Sequence, residues 1–165
     1  MGRKIICLDD SANAKTVIAR VVVEQGYDYS EIDLERALHL DEWTKKSPSQ
    51  NDLFLVDISL RLKTSSFSGR DVIEKLGSWV TRGQLPNPKG VLVNTTLESE
   101  LNQPYIVNAP GYELGFNVYT LKRPTMKGSR GQLDLPNYRS ALINTIGGIY
   151  SGQQRPVNAP PVIKR

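Results

Sequence analysis

Apolar and polar positions along this chain repeat at two periods, one suited to strands and one to helices. Ile5-Ile6-Cys7-Leu8 is a continuous apolar run of strand length that stops at Asp9-Asp10. Ser11 is placed to cap a helix, and Ala14, Val17, Ile18, Val21 and Val22 then share one helical stripe, with Gly26 placed to end it. The pattern predicts a weaker strand at 27–32 and a helix over 34–46 that carries Ala37, Leu38 and Trp43. Leu53-Phe54-Leu55-Val56 is a second buried strand, ended by Asp57. After a polar loop at 61–68, a helix is expected over 70–80. Pro86 and Pro88 break the chain before Val91-Leu92-Val93, which gives way to Asn94-Thr95-Thr96. Between 97 and 115, Pro104 and Pro110 restrict any helix to a short one. A strand at 116–121 leads into Lys122-Arg123-Pro124. The last helix spans 136–150, with Pro136 in its first turn and Leu142, Ile143 and Ile146 apolar.

Strands and helices in strict alternation imply a parallel sheet with helices on both faces, and uniformly apolar strands are what a sheet covered twice requires. The expected fold is a single α/β domain over 1–150, built on a doubly wound five-stranded parallel sheet. After Tyr150 the composition turns to Pro, Gln, Gly and Asn, and 151–165 reads as a disordered tail or a linker.

Composition narrows the chemistry. The chain has 165 residues, of which 39% are hydrophobic and 23% charged, enough for one ordinary core. Nowhere do 18 apolar residues run together, and the start is unlike a signal peptide, so no membrane role and a cytoplasmic setting are expected. A single cysteine, Cys7, excludes an internal disulfide framework or thiolate cage, and a single histidine, His39, excludes a multi-histidine metal site. The net charge of +4 owes three of its positives to Arg155, Lys164 and Arg165. The first 150 residues are therefore nearly neutral, and the local cluster at 122–130 reads as a solvated loop rather than a nucleic-acid face. A phosphate-binding P-loop and a Gly-x-Gly-x-x-Gly turn are both missing from the sequence. A phosphatase of the haloacid-dehalogenase type needs its second acid two residues after the first; here the acids are adjacent and position 12 is alanine.

In a doubly wound sheet, sites form beyond the carboxyl ends of the strands. Those ends are Asp9-Asp10, Asp57, Thr95 and Lys122. With the first and third strands adjacent, their ends lie roughly 5 Å apart, which gathers three carboxylates into one crevice. Such a cluster demands a cation or raised pKa values, and oxygen donors of this kind suit Mg²⁺. A hydroxyl at Thr95 and an ammonium at Lys122 would complete a receptor for a tetrahedral oxyanion at Asp57, which is equipment for phosphoryl transfer.

On Lys4 to Asp10, Leu55-Val56-Asp57, Val91 to Thr96 and Gly115 to Pro124, the chain resembles the response-regulator receiver domain of two-component signalling. The resemblance covers about residues 3 to 150, with its motifs in order. It implies a flavodoxin-like topology with strand order 2-1-3-4-5. Asp57 would be the phosphoacceptor, with Asp9, Asp10, Asp57 and the Ser59 backbone carbonyl as Mg²⁺ ligands. Thr95 and Lys122 would contact the phosphoryl group, and Thr95 and Tyr119 would form the switch. It further implies a sensor histidine kinase or phosphotransfer protein as donor, a downstream protein as target, and no classical enzymatic activity beyond self-catalysed phosphorylation and autodephosphorylation. The alternative is a receiver-like docking module that is never phosphorylated.

Two departures stand out. Arg123 separates Lys122 from Pro124, whereas the family usually has Lys-Pro adjacent. Spacing from Gly115 favours Lys122 as the match while counting back from Pro124 favours Arg123, and strand alternation keeps both from reaching the crevice together. Because the compact ammonium suits a narrow crevice better than a planar fork, Lys122 is expected inward with Arg123 turned out. The loop after Asp57 and the stretches 82–89 and 103–110 look like insertions.

Overall fold

The computed structural model describes residues 2–46, 48–58, 67–96, 115–129 and 132–158. Three strands with every position from Ile5 to Leu8, Leu53 to Asp57 and Gly90 to Thr95 buried form its centre. These are β1 (Lys4–Leu8), β3 (Leu53–Asp57) and β4 (Gly90–Thr95); β2 (Asp28–Glu31) and β5 (Val118–Lys122) flank them. All neighbours run parallel, in the order β2-β1-β3-β4-β5. The expected topology is thus the observed one. In register, Cys7 faces Leu55, Asp57 faces Asn94 and Thr95 faces Lys122, so the polar ends of four strands finish at one level.

Period-two alternation divides the strand side chains between two core layers. Ile6, Leu8, Phe54, Val56, Val91, Val93 and Val118 meet α3 (Gly69–Thr81) and Trp43 of α2 (Leu40–Thr44). Ile5, Cys7, Leu53, Leu55, Leu92 and Tyr119 meet α1 (Ala12–Glu24) and α4 (Leu135–Ser151). The α1 helix starts where the Ser11 hydroxyl accepts from the Ala14 N–H at 3.2 Å. At the start of α3 the Ser68 N–H donates to the Asp71 carboxylate at 2.9 Å.

The helix expected over 34–46 is instead a 3₁₀ turn, Leu34–Arg36, followed by the short α2. Local polar contacts break it. The Asp33 carboxylate caps the first turn by accepting from the Glu35 N–H. The buried Glu42 carboxylate accepts from the Asp33 N–H at 3.1 Å, and the Trp43 indole N–H donates to the Ala37 carbonyl at 2.8 Å. Together they fold the segment into a compact bend. The helix expected within 97–115 lies mostly outside the described residues.

The segment expected as tail begins with a docked stretch. Gly152, at φ 81°, ends α4 in the left-handed region and turns the chain back toward the sheet. The Val157 N–H then donates to the Val118 carbonyl at 2.7 Å. The Asn158 amide brackets the same edge: its Oδ1 accepts from the Val118 N–H at 2.9 Å and its Nδ2 donates to the Phe116 carbonyl at 2.8 Å. Residues 159–165 lie outside the described residues.

Candidate functional site

The side-chain parity of the α1/α4 layer, carried to the carboxyl ends of the strands, gives Asp9 after Cys7, Asp57 after Leu55, Asn94 after Leu92 and Arg123 after Leu121. All four are buried. One oxygen each from Asp9, Asp10 and Asp57 lie within 4.8 Å of one another, with Asp10 partly exposed. The crevice of three carboxylates expected from the sequence is therefore present. The Asp9 Oδ1 also accepts from the Ser11 N–H at 2.8 Å, which fixes that carboxylate at the start of α1.

Arg123 reaches the crevice as a buried side chain, whereas Lys122 is exposed. The Arg123 Nη2 donates to the Asp9 Oδ2, and Nη1 lies 3.5 Å from the Asp57 Oδ2. Lys122 is exposed on the strand parity of Val118 and Thr120. This reverses the expected placement, and alternation is the reason. Position 123 follows Tyr119 and Leu121 onto the carboxylate side, while 122 falls on the other. Nor is the guanidinium too wide for the site. Its fork spans two carboxylates at once while its carbon sits 5.5 Å from the centre of the Tyr138 ring.

The electrostatics follow from burial. Burial works to lower the Arg123 pKa, but Tyr138, Asp9 and Asp57 raise it and keep the side chain cationic. Burial pushes the Asp9 carboxyl up, against the opposing pull of Arg123 and the Ser11 N–H. The Tyr138 hydroxyl is pushed up to about 12 by burial and stays neutral, accepting a hydrogen bond from the Asn94 side-chain amide. Asn94 and Tyr138 are site residues that sequence reasoning missed. Asn94 had the look of a turn residue; Tyr138 was legible only as the first step of the stripe that continues through Leu142, Ile146 and Ile149.

The remaining expected residues are placed as follows. Thr95 is fully buried at the end of β4, one residue beyond the partner of Asp57, and its carbonyl accepts from the Arg123 N–H at 2.8 Å. Tyr119 is buried in the α1/α4 layer, with its ring laid over Gly90. A Cβ on Gly90 would come within 2.5 Å of a ring carbon. Ser59 lies outside the described residues, as does the stretch 103–110. Gly69 brings α3 against the site: a Cβ there would stand 2.2 Å from the Asp57 carbonyl oxygen.

Solved structures of similar shape are response regulators. The phosphorylated cyanobacterial phytochrome response regulator RcpA matches with a TM-score of 0.63 at 18% identity, over 92% of this chain and 96% of its own. The Mn²⁺-bound form of response regulator Rcp1 matches at 0.55 and 20%, over 89% and 93%. The chemotaxis response regulator CheY4 of Vibrio cholerae matches at 0.55 and 14%, over 90% and 99%. At such identities the likeness establishes the fold: the chain has the receiver architecture. No family model matches the sequence, and no curated protein does either. Among the described residues no helix is long and apolar enough to cross a membrane.

Proposed function

We propose that this chain is a phosphoryl-accepting signalling receiver, with Asp57 as the acceptor. The observation that carries the reading is the meeting of Asp9, Asp10 and Asp57 within 4.8 Å at the carboxyl end of a receiver-type sheet. Three hard oxygen donors at that separation suit a small divalent ion, and Asp9, Asp10 and Asp57 would hold Mg²⁺, joined by the Ser59 carbonyl if the resemblance carries over. The bound ion would neutralise charge on the transferring group.

The chain's own residues supply the rest. An Asp57 carboxylate oxygen attacks phosphorus; the acyl–phosphate bond forms as the bond to the donor breaks, and its electron pair leaves with the donor. Arg123 is a buried cation beside Asp57 and stands ready to pair with the added oxygens. Asn94, the register partner of Asp57, brings a side-chain amide to the same face, while Thr95 holds the end of β5 through its carbonyl. The donor would be a histidine kinase or phosphotransfer protein, and water would later cleave the acyl phosphate. The added charge, up to about two units, would bias a two-state equilibrium read through Thr95, Tyr119 and the β5 side of the sheet toward a downstream protein.

The docking alternative draws on one observation: Arg123 already compensates Asp9 and lies beside Asp57, so the acids have a partner with no ligand bound. One experiment separates the two. Acetyl phosphate with Mg²⁺ should add one phosphoryl group to the intact protein and none to Asp57→Asn, read by intact-mass spectrometry and peptide mapping. A wild-type protein that takes up no phosphoryl group, or an Asp57→Asn protein that takes it up equally, overturns the phosphoacceptor reading.

A further inference from the structure

Arg123 lies where a divalent ion would find one of its ligands. Its Nη2 donates to Oδ2 of Asp9, a member of the carboxylate trio, and Nη1 stands at 3.5 Å from Asp57. The side chain is 5% exposed, so the pair is shielded from the water that would otherwise screen it. A guanidinium and a dication drawing on the same Asp9 carboxylate repel one another in that low-dielectric crevice. The trio and the guanidinium together carry a formal charge of −2, so the crevice still attracts a dication, but Asp9 is already engaged.

The bound pose of Arg123 is also incomplete. Among the described residues its Nε is buried with no acceptor, and the Oδ1 of nearby Asn94 is buried with no donor. A buried donor without a partner is costly, so this pose, held by Asp9, Asp57 and the Tyr138 ring, is not fully satisfied and is open to a better offer. The better offer is an oxyanion at Asp57. Nη1 is already on that side, and a phosphoryl group would place more charge and more acceptors there than Asp9 provides.

We propose that Arg123 is a tethered cation that competes with a divalent ion for Asp9, and that an oxyanion on Asp57 draws Arg123 away and so tightens metal binding. Arg123 is then a positioning residue that couples the two ligands, and the coupling must be reciprocal: metal bound at Asp9 and Asp10 favours the oxyanion at Asp57 by the same factor. The second half rests on the phosphoacceptor reading; the first half does not.

The test is the affinity for Mg²⁺ and Mn²⁺, measured by calorimetry and by free-Mn²⁺ electron paramagnetic resonance, with and without beryllofluoride. The proteins are the wild type, Arg123→Gln and Arg123→Lys. Removing the competitor should tighten Mn²⁺ binding about ten-fold in Arg123→Gln without any phosphoryl mimic. Arg123→Lys should fall between, because a single ammonium cannot span Asp9 and Asp57. Beryllofluoride should tighten metal binding in the wild type and have a much smaller effect in Arg123→Gln. A merely structural role for Arg123 predicts the opposite sign, since loosening the crevice weakens the metal site. Equal or weaker Mn²⁺ binding in both variants overturns the competition and leaves phosphorylation of Asp57 untouched. Tightening in Arg123→Gln with the same beryllofluoride effect in wild type and variant overturns the coupling alone.

Discussion

Arg123 and Asp9, 114 positions apart, pair across the top of the sheet, tying the end of β5 to the end of β1 over the ends of β3 and β4. Three interstrand steps amount to roughly 14 Å, so only a long side chain meeting a carboxylate beyond its own strand closes that distance. The pair is fully enclosed, and removing one partner strands the other charge. Arg123→Ala should therefore lower stability by about 3–5 kcal/mol in urea titration, and Lys122→Ala should leave the midpoint near the wild type. Comparable losses in the two proteins would place the buried cation elsewhere.

Tyr119 and Gly90 form a second close pair. Gly90→Ala drives a methyl into the Tyr119 ring, and overpacking of this kind costs about 1–3 kcal/mol. Replacing the ring by a smaller group in Tyr119→Leu should remove most of that cost, so the double variant should be more stable than the sum of the singles predicts. Additive losses in thermal melts would show that the clash is absorbed by the backbone.

Cys7 offers a reporter of opening. It is 1% exposed on a central strand, and burial pushes its thiol well above the ordinary range, so the reactive thiolate is scarce in the native state. Labelling by iodoacetamide should be very slow in buffer and should track the unfolding transition as urea rises. Rapid labelling of the folded protein would mean that β1 opens locally.

Asp10 should matter more for metal than Asp9. Asp9 is engaged by Arg123 and the Ser11 N–H, whereas Asp10 is the partly exposed carboxylate of the trio. Mg²⁺-induced amide shifts in nuclear magnetic resonance should weaken strongly in Asp10→Asn and less in Asp9→Asn. The reverse ranking would make Asp9 the principal ligand.

The fold was legible because its signals are local and repeat: apolar runs ending in acids, helical stripes between them, and a parallel sheet as the arrangement that covers both faces. The carboxylate trio followed from the same pattern, since the pair Asp9-Asp10 and the single Asp57 each close an apolar run. Arg123 was harder. Spacing from Gly115 pointed to Lys122 and spacing from Pro124 to Arg123; the parity of Tyr119 and Leu121 decides between them, because alternation is enforced by the backbone. Tyr138 and Asn94 depend on which helix covers which strand, a tertiary fact that neither segment carries alone. The bend at 33–43 likewise rests on Glu42 reaching back nine residues to the Asp33 N–H, a contact that helical periodicity does not encode.

Asn158 offers β5 an oxygen and an N–H at the spacing of a peptide group, and so serves as a one-residue counterfeit strand. A protein engineer joining a new module after Tyr150 would strip this seal, leaving the Phe116 carbonyl and the Val118 N–H as a raw margin ready to adhere to whatever extended segment comes near. The same graft made after Asn158 keeps the margin closed. Eight residues thus separate a well-behaved fusion from a sticky one.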